Sequence, residues 1–288
     1  MGGKGVFVHA VLPMAAATFL GVVIGAIGSW SASRKGRRGA PESQRIEEGR
    51  LHFIPHRDSP IVKALADAIW WFGPDFSPKP VPRFYDVASI CENPAVFREV
   101  VNLFEQRYRA MPEHERPTAI CGYDARGFIL GAPIALALGV KFVLLRKDKK
   151  SPGVLVESSA FEKEYKEVHA EQMCLRVGSL APADRVVLID DLIATGGTAV
   201  AGIELVEAIG AAVVEFAAVT CLPGLGGSQF IHSAHRGRYA RVPVYTLVED
   251  EAIGDERCRD PRAWREAGRV VPVAQAERVR VLHGLSER

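Results

Sequence analysis

Residues 186–199, Val-Val-Leu-Ile-Asp-Asp-Leu-Ile-Ala-Thr-Gly-Gly-Thr-Ala, constrain the fold more than any other stretch. Val186 to Ile189 is apolar without alternation, which predicts a strand buried on both faces, as in a parallel sheet. Two carboxylates, Asp190 and Asp191, close that run. A loop with paired glycines and two threonines follows, and then a helical pattern begins. Strand, turn and helix in this order set backbone N–H groups around a helix start, where the macrodipole also favours an anion. Gly196 and Gly197 let the backbone approach an anion closely. The N–H groups of Ala194, Thr195, Gly196, Gly197 and Thr198 then line one concavity, with hydroxyl donors from Thr195 and Thr198. Ionised carboxylates only accept hydrogen bonds. Asp190 and Asp191 therefore suit ribose hydroxyls or the waters of a magnesium ion, not a phosphate. A ribose 5-phosphate satisfies both halves of the segment. The string is not a Walker A loop, because no Gly-Lys-[Ser/Thr] follows, and it lacks the G-x-G-x-x-G spacing of dinucleotide sites.

The rest of the chain alternates helical and strand patterns. Asp58-Ser59-Pro60 predicts a helix start, with the helix running through Ile61, Leu65, Ala68 and Ile69 to a stop before Gly73-Pro74. Asn93-Pro94 opens a second helix with Val96, Val100, Leu103 and Phe104 on one face. Strands are expected over 118–122, 140–145, 185–189, 213–222 and 242–248, and helices over 126–138 and 198–209. This order predicts an α/β fold with a central, mostly parallel sheet flanked by helices on both faces. Ligands of such sheets bind beyond the carboxyl ends of the strands, where Asp124, Arg146 and Asp190 all fall. With 288 residues, 48% of them apolar, the chain is long enough for one such domain plus extensions. A net charge of +2 gives no electrostatic case for nucleic acid. The five scattered cysteines make no C-x-x-C pair and no zinc spacing, so no protein-built metal site is expected.

Four further segments narrow the reading. They are Gly73-Pro74-Asp75-Phe76 with Pro78, Val81-Pro82-Arg83-Phe84-Tyr85-Asp86-Val87, Gly122-Tyr123-Asp124-Ala125-Arg126-Gly127-Phe128, and Arg146-Lys147 with Lys150-Ser151-Pro152-Gly153. Together with residues 186–199 they resemble the type I phosphoribosyltransferases, and among these the adenine phosphoribosyltransferase family. The resemblance spans roughly residues 58–250. Phe161-Glu162-Lys163-Glu164-Tyr165-Lys166-Glu167 and the tail after 250 look most like the longer trypanosomatid form. Two departures from the commoner family pattern, Tyr85 where it has Arg and Lys166 where it has Gly, bear on side-chain roles at those positions.

The resemblance implies transfer of a 5-phosphoribosyl group from phosphoribosyl pyrophosphate to adenine, giving AMP and pyrophosphate, with Mg2+ as cofactor. It implies that the loop of Asp124, Ala125 and Arg126, with Arg146, Lys147 and Lys150, takes the pyrophosphate. Arg83, Phe84, Tyr85 and Leu192 take adenine, with Phe84 as the stacking surface and the backbone at Arg83 and Tyr85 reading the base edge. It also implies that Glu164 is the catalytic proton carrier in a flexible lid with Tyr165. Spacing alone does not choose between Glu164 and its neighbours Glu162 and Glu167. Residues 147–174 are polar and rich in Lys and Glu, as a lid or a surface hairpin would be. Two alternatives are a transferase for another purine base and a regulator that binds phosphoribosyl pyrophosphate without catalysis. The regulator would need a nucleic-acid module, and no basic helix-turn-helix is visible.

The sequence divides into an N-terminal extension (1–50), a phosphoribosyltransferase domain (51–250) and a C-terminal tail (251–288). Residues 10–30 carry no charge and are long enough to span a bilayer core of about 30 Å. Arg34, Lys35, Arg37 and Arg38 follow, which would keep the domain on the cytosolic side. Residues 34–48 read as a polar linker. A cytoplasmic enzyme, anchored through residues 10–30 or free of the membrane, and assembled as a homodimer, is the expectation.

Overall fold

A computed structural model of the chain describes residues 43–45, 51–73, 82–147, 149, 151–159, 172–259 and 272–277. Its centre is a seven-stranded sheet in the order β1 (Ser43–Arg45), β2 (His52–Pro55), β11 (Val244–Glu249), β10 (Ala212–Cys221), β9 (Arg185–Ile193), β5 (Ala119–Tyr123), β6 (Lys141–Leu145). Every neighbouring pair is parallel except β1 with β2. The chain winds outward in opposite directions from the β5–β9 pair: β5 leads to β6 on one side, and β9 leads to β10 and β11 on the other. Crossovers of one hand taken in opposite directions put their helices on opposite faces, and a crevice opens where the direction reverses.

The two faces carry separate cores. Helices α1 (Pro60–Ala68), α2 (Pro94–Ala110) and α3 (Arg126–Leu138) bury Leu65, Phe104, Tyr108, Leu130 and Ile134 against Val187 and Ile189. On the other face, α4 (Gly197–Ala208) and α5 (Gly227–Gly237) bury Ala199, Ile203, Val206 and Ile231 against Val186 and Leu188. Alternate residues of β9 thus serve alternate cores, which is why that strand reads as an unbroken apolar run. Gly127 allows α3 to lie against the sheet, since a Cβ there would sit 2.4 Å from the Ile189 carbonyl oxygen.

The α3 bounds coincide with those expected, and the Asn93 side chain accepts from the N–H groups of Ala95 and Val96 at the start of α2. Three expectations change. The first helix stops at Ala68, and Trp70–Phe72 form β3, which pairs antiparallel with β4 (Phe84–Asp86) in a ribbon separate from the main sheet. Consecutive aromatic residues favour a half-buried strand surface, and the pairing with Phe84–Asp86 decides the outcome. β1 lies inside the stretch read as linker, so the main sheet reaches back beyond residue 51. The segment 251–259, assigned to the tail, packs on the domain through two short 3-10 turns. Between residues 147 and 174, β7 (Leu155–Glu157) pairs with β8 (Cys174–Arg176) as an antiparallel hairpin stem. The expected lid residues 160–171, with Glu162, Glu164, Tyr165 and Glu167, lie outside the described residues, as do Lys150 and the apolar run 10–30. Among the described residues no helix is long and apolar enough to cross a membrane.

Candidate active site

A cleft of about 540 Å3 opens at the carboxyl ends of β5 and β9, where the winding reverses. Three segments far apart in sequence meet there: Arg83 with Phe84 and Tyr85 of β4; Asp124, Ala125 and Arg126 at the β5–α3 turn; and the continuous stretch from Asp190 to Ala199. Lys147 joins them from beyond β6. Arg146 is not among the lining residues; its backbone is tied to Cys174 by two hydrogen bonds, of 3.0 and 2.7 Å. Phe216, Leu222 and Leu225 also line the cleft. No motif announced them. Leu222 and Leu225 follow the end of β10, so the strand-end rule that located Asp124 and Asp190 was the signal that would have found them.

The carboxylate pair differs from its expectation. β9 runs on through Asp190 and Asp191 to Ile193, because β10 continues to pair with it as far as Cys221 after β5 has ended its pairing at Gly122. The pleat sends the two carboxyls to opposite faces. Asp191 turns to the α3 side, where its Oδ2 lies 2.9 Å from Arg126 Nε. That contact brings the charges together without aligning the N–H as a hydrogen bond. Asp190 accepts from the Asp191 N–H at 2.9 Å. Burial pushes the Asp190 carboxyl well above the usual carboxylate range, and the adjacent Asp191 charge adds to the shift. Asp190 therefore holds its proton to higher pH than a free carboxyl does. Removing a carboxylate from water beside a like charge disfavours its charged form.

The loop at 194–198 turns from strand to helix as the sequence predicts, with positive φ at Gly196. Gly196 has φ +88° and caps α4, with Gly197 as the helix's first residue. The loop is backed by the start of α5: a Cβ on Gly196 would lie 2.5 Å from the Gly227 carbonyl oxygen, and one on Gly227 would lie 2.3 Å from that of Ala194. Across the cleft, the Asp124–Ala125 peptide is cis. Tyr85 is buried, and its hydroxyl lies 3.5 Å from an Asp250 carboxylate oxygen. The Arg83 guanidinium is turned to residues 253–255, donating to the Ile253 carbonyl at 3.3 Å and to Asp255 at 2.5 Å. The main chain of this loop, not its charged side chain, is left to meet a ligand. Among the described residues no group of three or more His, Cys, Asp or Glu converges as a metal cage.

Comparisons with known proteins agree with this geometry. The phosphoribosyl transferase domain family matches residues 86–226. The adenine phosphoribosyltransferase of Acidovorax sp. (strain JS42) is 46% identical over 176 residues, covering 61% of this chain and 89% of that protein. The adenine phosphoribosyltransferase of Trypanosoma brucei, solved with AMP, pyrophosphate and ribose-5-phosphate, superimposes with a TM-score of 0.76 at 41% identity, covering 83% of this chain and 99% of that one. The Leishmania tarentolae enzyme gives a TM-score of 0.70 at 41% identity, covering 76% of this chain and 100% of that one.

Proposed function

The chain belongs to the adenine phosphoribosyltransferase family, and from that premise we propose that its cleft transfers the 5-phosphoribosyl group of phosphoribosyl pyrophosphate to adenine, forming AMP and pyrophosphate in purine salvage. The observation that carries this reading is the meeting of Arg83–Tyr85, Asp124–Arg126 and Asp190–Ala199 in one cleft at the sheet's switch point. The resemblance had assigned these three segments to base, pyrophosphate and ribose phosphate. A space bounded on three sides by such groups suits an in-line displacement at the anomeric carbon, with base and leaving group on opposite sides.

Each residue has a role in the proposal. The N–H groups of 194–198 and the hydroxyls of Thr195 and Thr198 hold the 5-phosphate. Asp190 and Asp191 accept from the ribose hydroxyls. Arg126 and Lys147, at the cleft, and Arg146 and Lys150, from the same basic loop, balance charge building on the pyrophosphate as its bond to carbon breaks. Phe84 and Leu192 cover the adenine faces, and the backbone at Arg83 and Tyr85 reads its edge. Glu164, with Tyr165 beside it in the lid, carries the proton that the base exchanges on attack.

The donor set fits Mg2+ held chiefly by substrate oxygens and water, because Asp190 and Asp191 both line the cleft as oxygen donors and Mg2+ keeps much of its water shell. When bound, the ion would neutralise charge on the pyrophosphate oxygens. We further propose a cytoplasmic homodimer. Exposed apolar side chains at Ile129 and Leu136 on α3 and Leu144 on the edge strand β6 support a second copy on that face. Membrane attachment through residues 10–30 remains part of the proposal on its length and basic flank alone.

The direct test is to incubate the purified protein with labelled adenine, phosphoribosyl pyrophosphate and Mg2+ and to measure AMP. Product formation is expected, and its absence would refute the assignment.

A further inference from the structure

We infer that the segment 253–259 moors the base loop of the cleft, and that Trp71, which lies outside the cleft, is a positioning residue for adenine. The inference rests on the reading of Arg83–Tyr85 as the adenine loop. That loop is carried on β4, whose only sheet partner among the described residues is β3, in a ribbon of three residues per strand that makes no ladder with the described main sheet. A two-stranded ribbon is marginal on its own, so its position depends on what packs against it.

The segment that packs there is 253–259, and its grip centres on the tryptophan pair. Trp71 is opposite Tyr85 in the ribbon. Its Nε1–H donates to the Gly254 carbonyl at 3.1 Å, its own carbonyl accepts from the Arg259 N–H at 2.9 Å, and it forms a parallel bridge with Cys258. The Arg83 guanidinium lies 4.6 Å from the Trp71 ring centroid while bonded to Ile253 and Asp255. Arg83 thereby joins ring, loop and segment in one contact. Arg259 and Arg257 lie 4.4 and 5.6 Å from the Trp70 ring centroid, and Arg257 pairs with Asp67 of α1 at 3.2 Å. Each of the three arginines places its charge over an indole face, the strongest aromatic partner for a cation.

The ribose-phosphate loop has no share in this grip. It extends from β9 in the middle of the sheet and is backed by α5. Loosening the mooring should therefore shift the atoms that read the base while leaving the atoms that hold phosphoribosyl pyrophosphate in place. A base read by main-chain atoms tolerates little displacement, since an error of about 1 Å at a reacting site can cost roughly a hundredfold.

The experiment measures KM for adenine and for phosphoribosyl pyrophosphate separately, in the full-length wild-type protein and in Trp71→Leu, Trp71→Phe and Asp255→Ala. Trp71→Leu is expected to raise the adenine KM by about tenfold or more, with the phosphoribosyl pyrophosphate KM within about twofold of wild type. Trp71→Phe keeps a ring under Arg83 but loses the bond to Gly254, and should fall between. Asp255 is 87% exposed, so its removal leaves the core untouched. The loss of that surface contact should raise the adenine KM by about two- to fivefold. If Trp71→Leu fails to fold, Asp255→Ala decides. Equal rises in both KM values, or an unchanged adenine KM in the soluble variants, would overturn the mooring. A wild-type protein that forms no AMP would overturn the proposed activity instead, and the mooring with it.

Discussion

Gly227→Ala tests whether the phosphate loop is positioned from behind. Gly227 is buried at the first position of α5 and does not line the cleft. A Cβ there would lie 2.3 Å from the Ala194 carbonyl oxygen and 2.8 Å from Ile193 Cγ1. Ordinary contact begins near 3.4 Å. The added methyl therefore demands about 1 Å of movement, and the nearest atom is backbone, which cannot swing aside. Either α5 retreats or the stretch 193–196 advances into the cleft. Overpacking of this kind costs about 1–3 kcal/mol. For a domain of this size that corresponds to a fall in Tm of roughly 2–12 °C. A displacement of the loop by about 1 Å should lower kcat/KM for phosphoribosyl pyrophosphate by roughly a hundredfold. The assay pairs a thermal melt with steady-state kinetics at fixed adenine. Gly224→Ala is the control, because nothing lies within 4 Å of its Cβ position. If Gly227→Ala kept kcat/KM within about threefold of wild type, the loop would not depend on α5 for its position and the argument would fail.

Asp190→Asn should separate stability from binding. The folded protein holds the Asp190 proton where an unfolded chain releases it, so this group's contribution to stability is lost as pH rises from the ordinary carboxylate range through the raised folded value. The ligand-free variant should therefore melt higher than wild type at pH 7–8, with the difference shrinking toward pH 4, and yet bind phosphoribosyl pyrophosphate more weakly. Identical melts across that range would refute the burial argument. Glu164→Gln should lower kcat by about a hundred- to ten-thousandfold with little change in either KM. A loss of only a few fold would transfer the role to Glu162 or Glu167. Removal of the N-terminal extension should leave activity intact, but the cut belongs before Ser43 rather than at residue 45, because Ser43–Arg45 pair with Phe53–Pro55 at the sheet edge. Fractionation of full-length and shortened protein checks the anchor: a full-length protein found wholly in the soluble fraction would remove it.

The strand, turn and helix start of residues 186–199 were legible in the sequence because those features are local. A strand buried on both faces, a turn needing positive φ at Gly196 and a helix start after it are all encoded in consecutive dihedral preferences and in one apolar run. The same holds for α3, an apolar run closed by Gly139 in the left-handed conformation, and for the alternation of elements that predicted the parallel sheet. Tertiary structure decided what depends on partners distant along the chain. Trp70–Phe72 became a strand because Phe84–Asp86 lie beside it, whereas the apolar pattern alone continued the helix. The Asp190 carboxyl is pushed up chiefly by burial, which depends on how the sheet and its helices assemble, with a smaller push from the adjacent Asp191 charge. Residues 253–259 meet the β3–β4 ribbon through the Trp71–Cys258 bridge, a contact between distant positions of which periodicity carries no record. Local preference therefore wrote the strand, turn and helix start of residues 186–199 into the sequence, while the β3–β4 ribbon and the segment packed on it depend on contacts that exist only once the chain has folded.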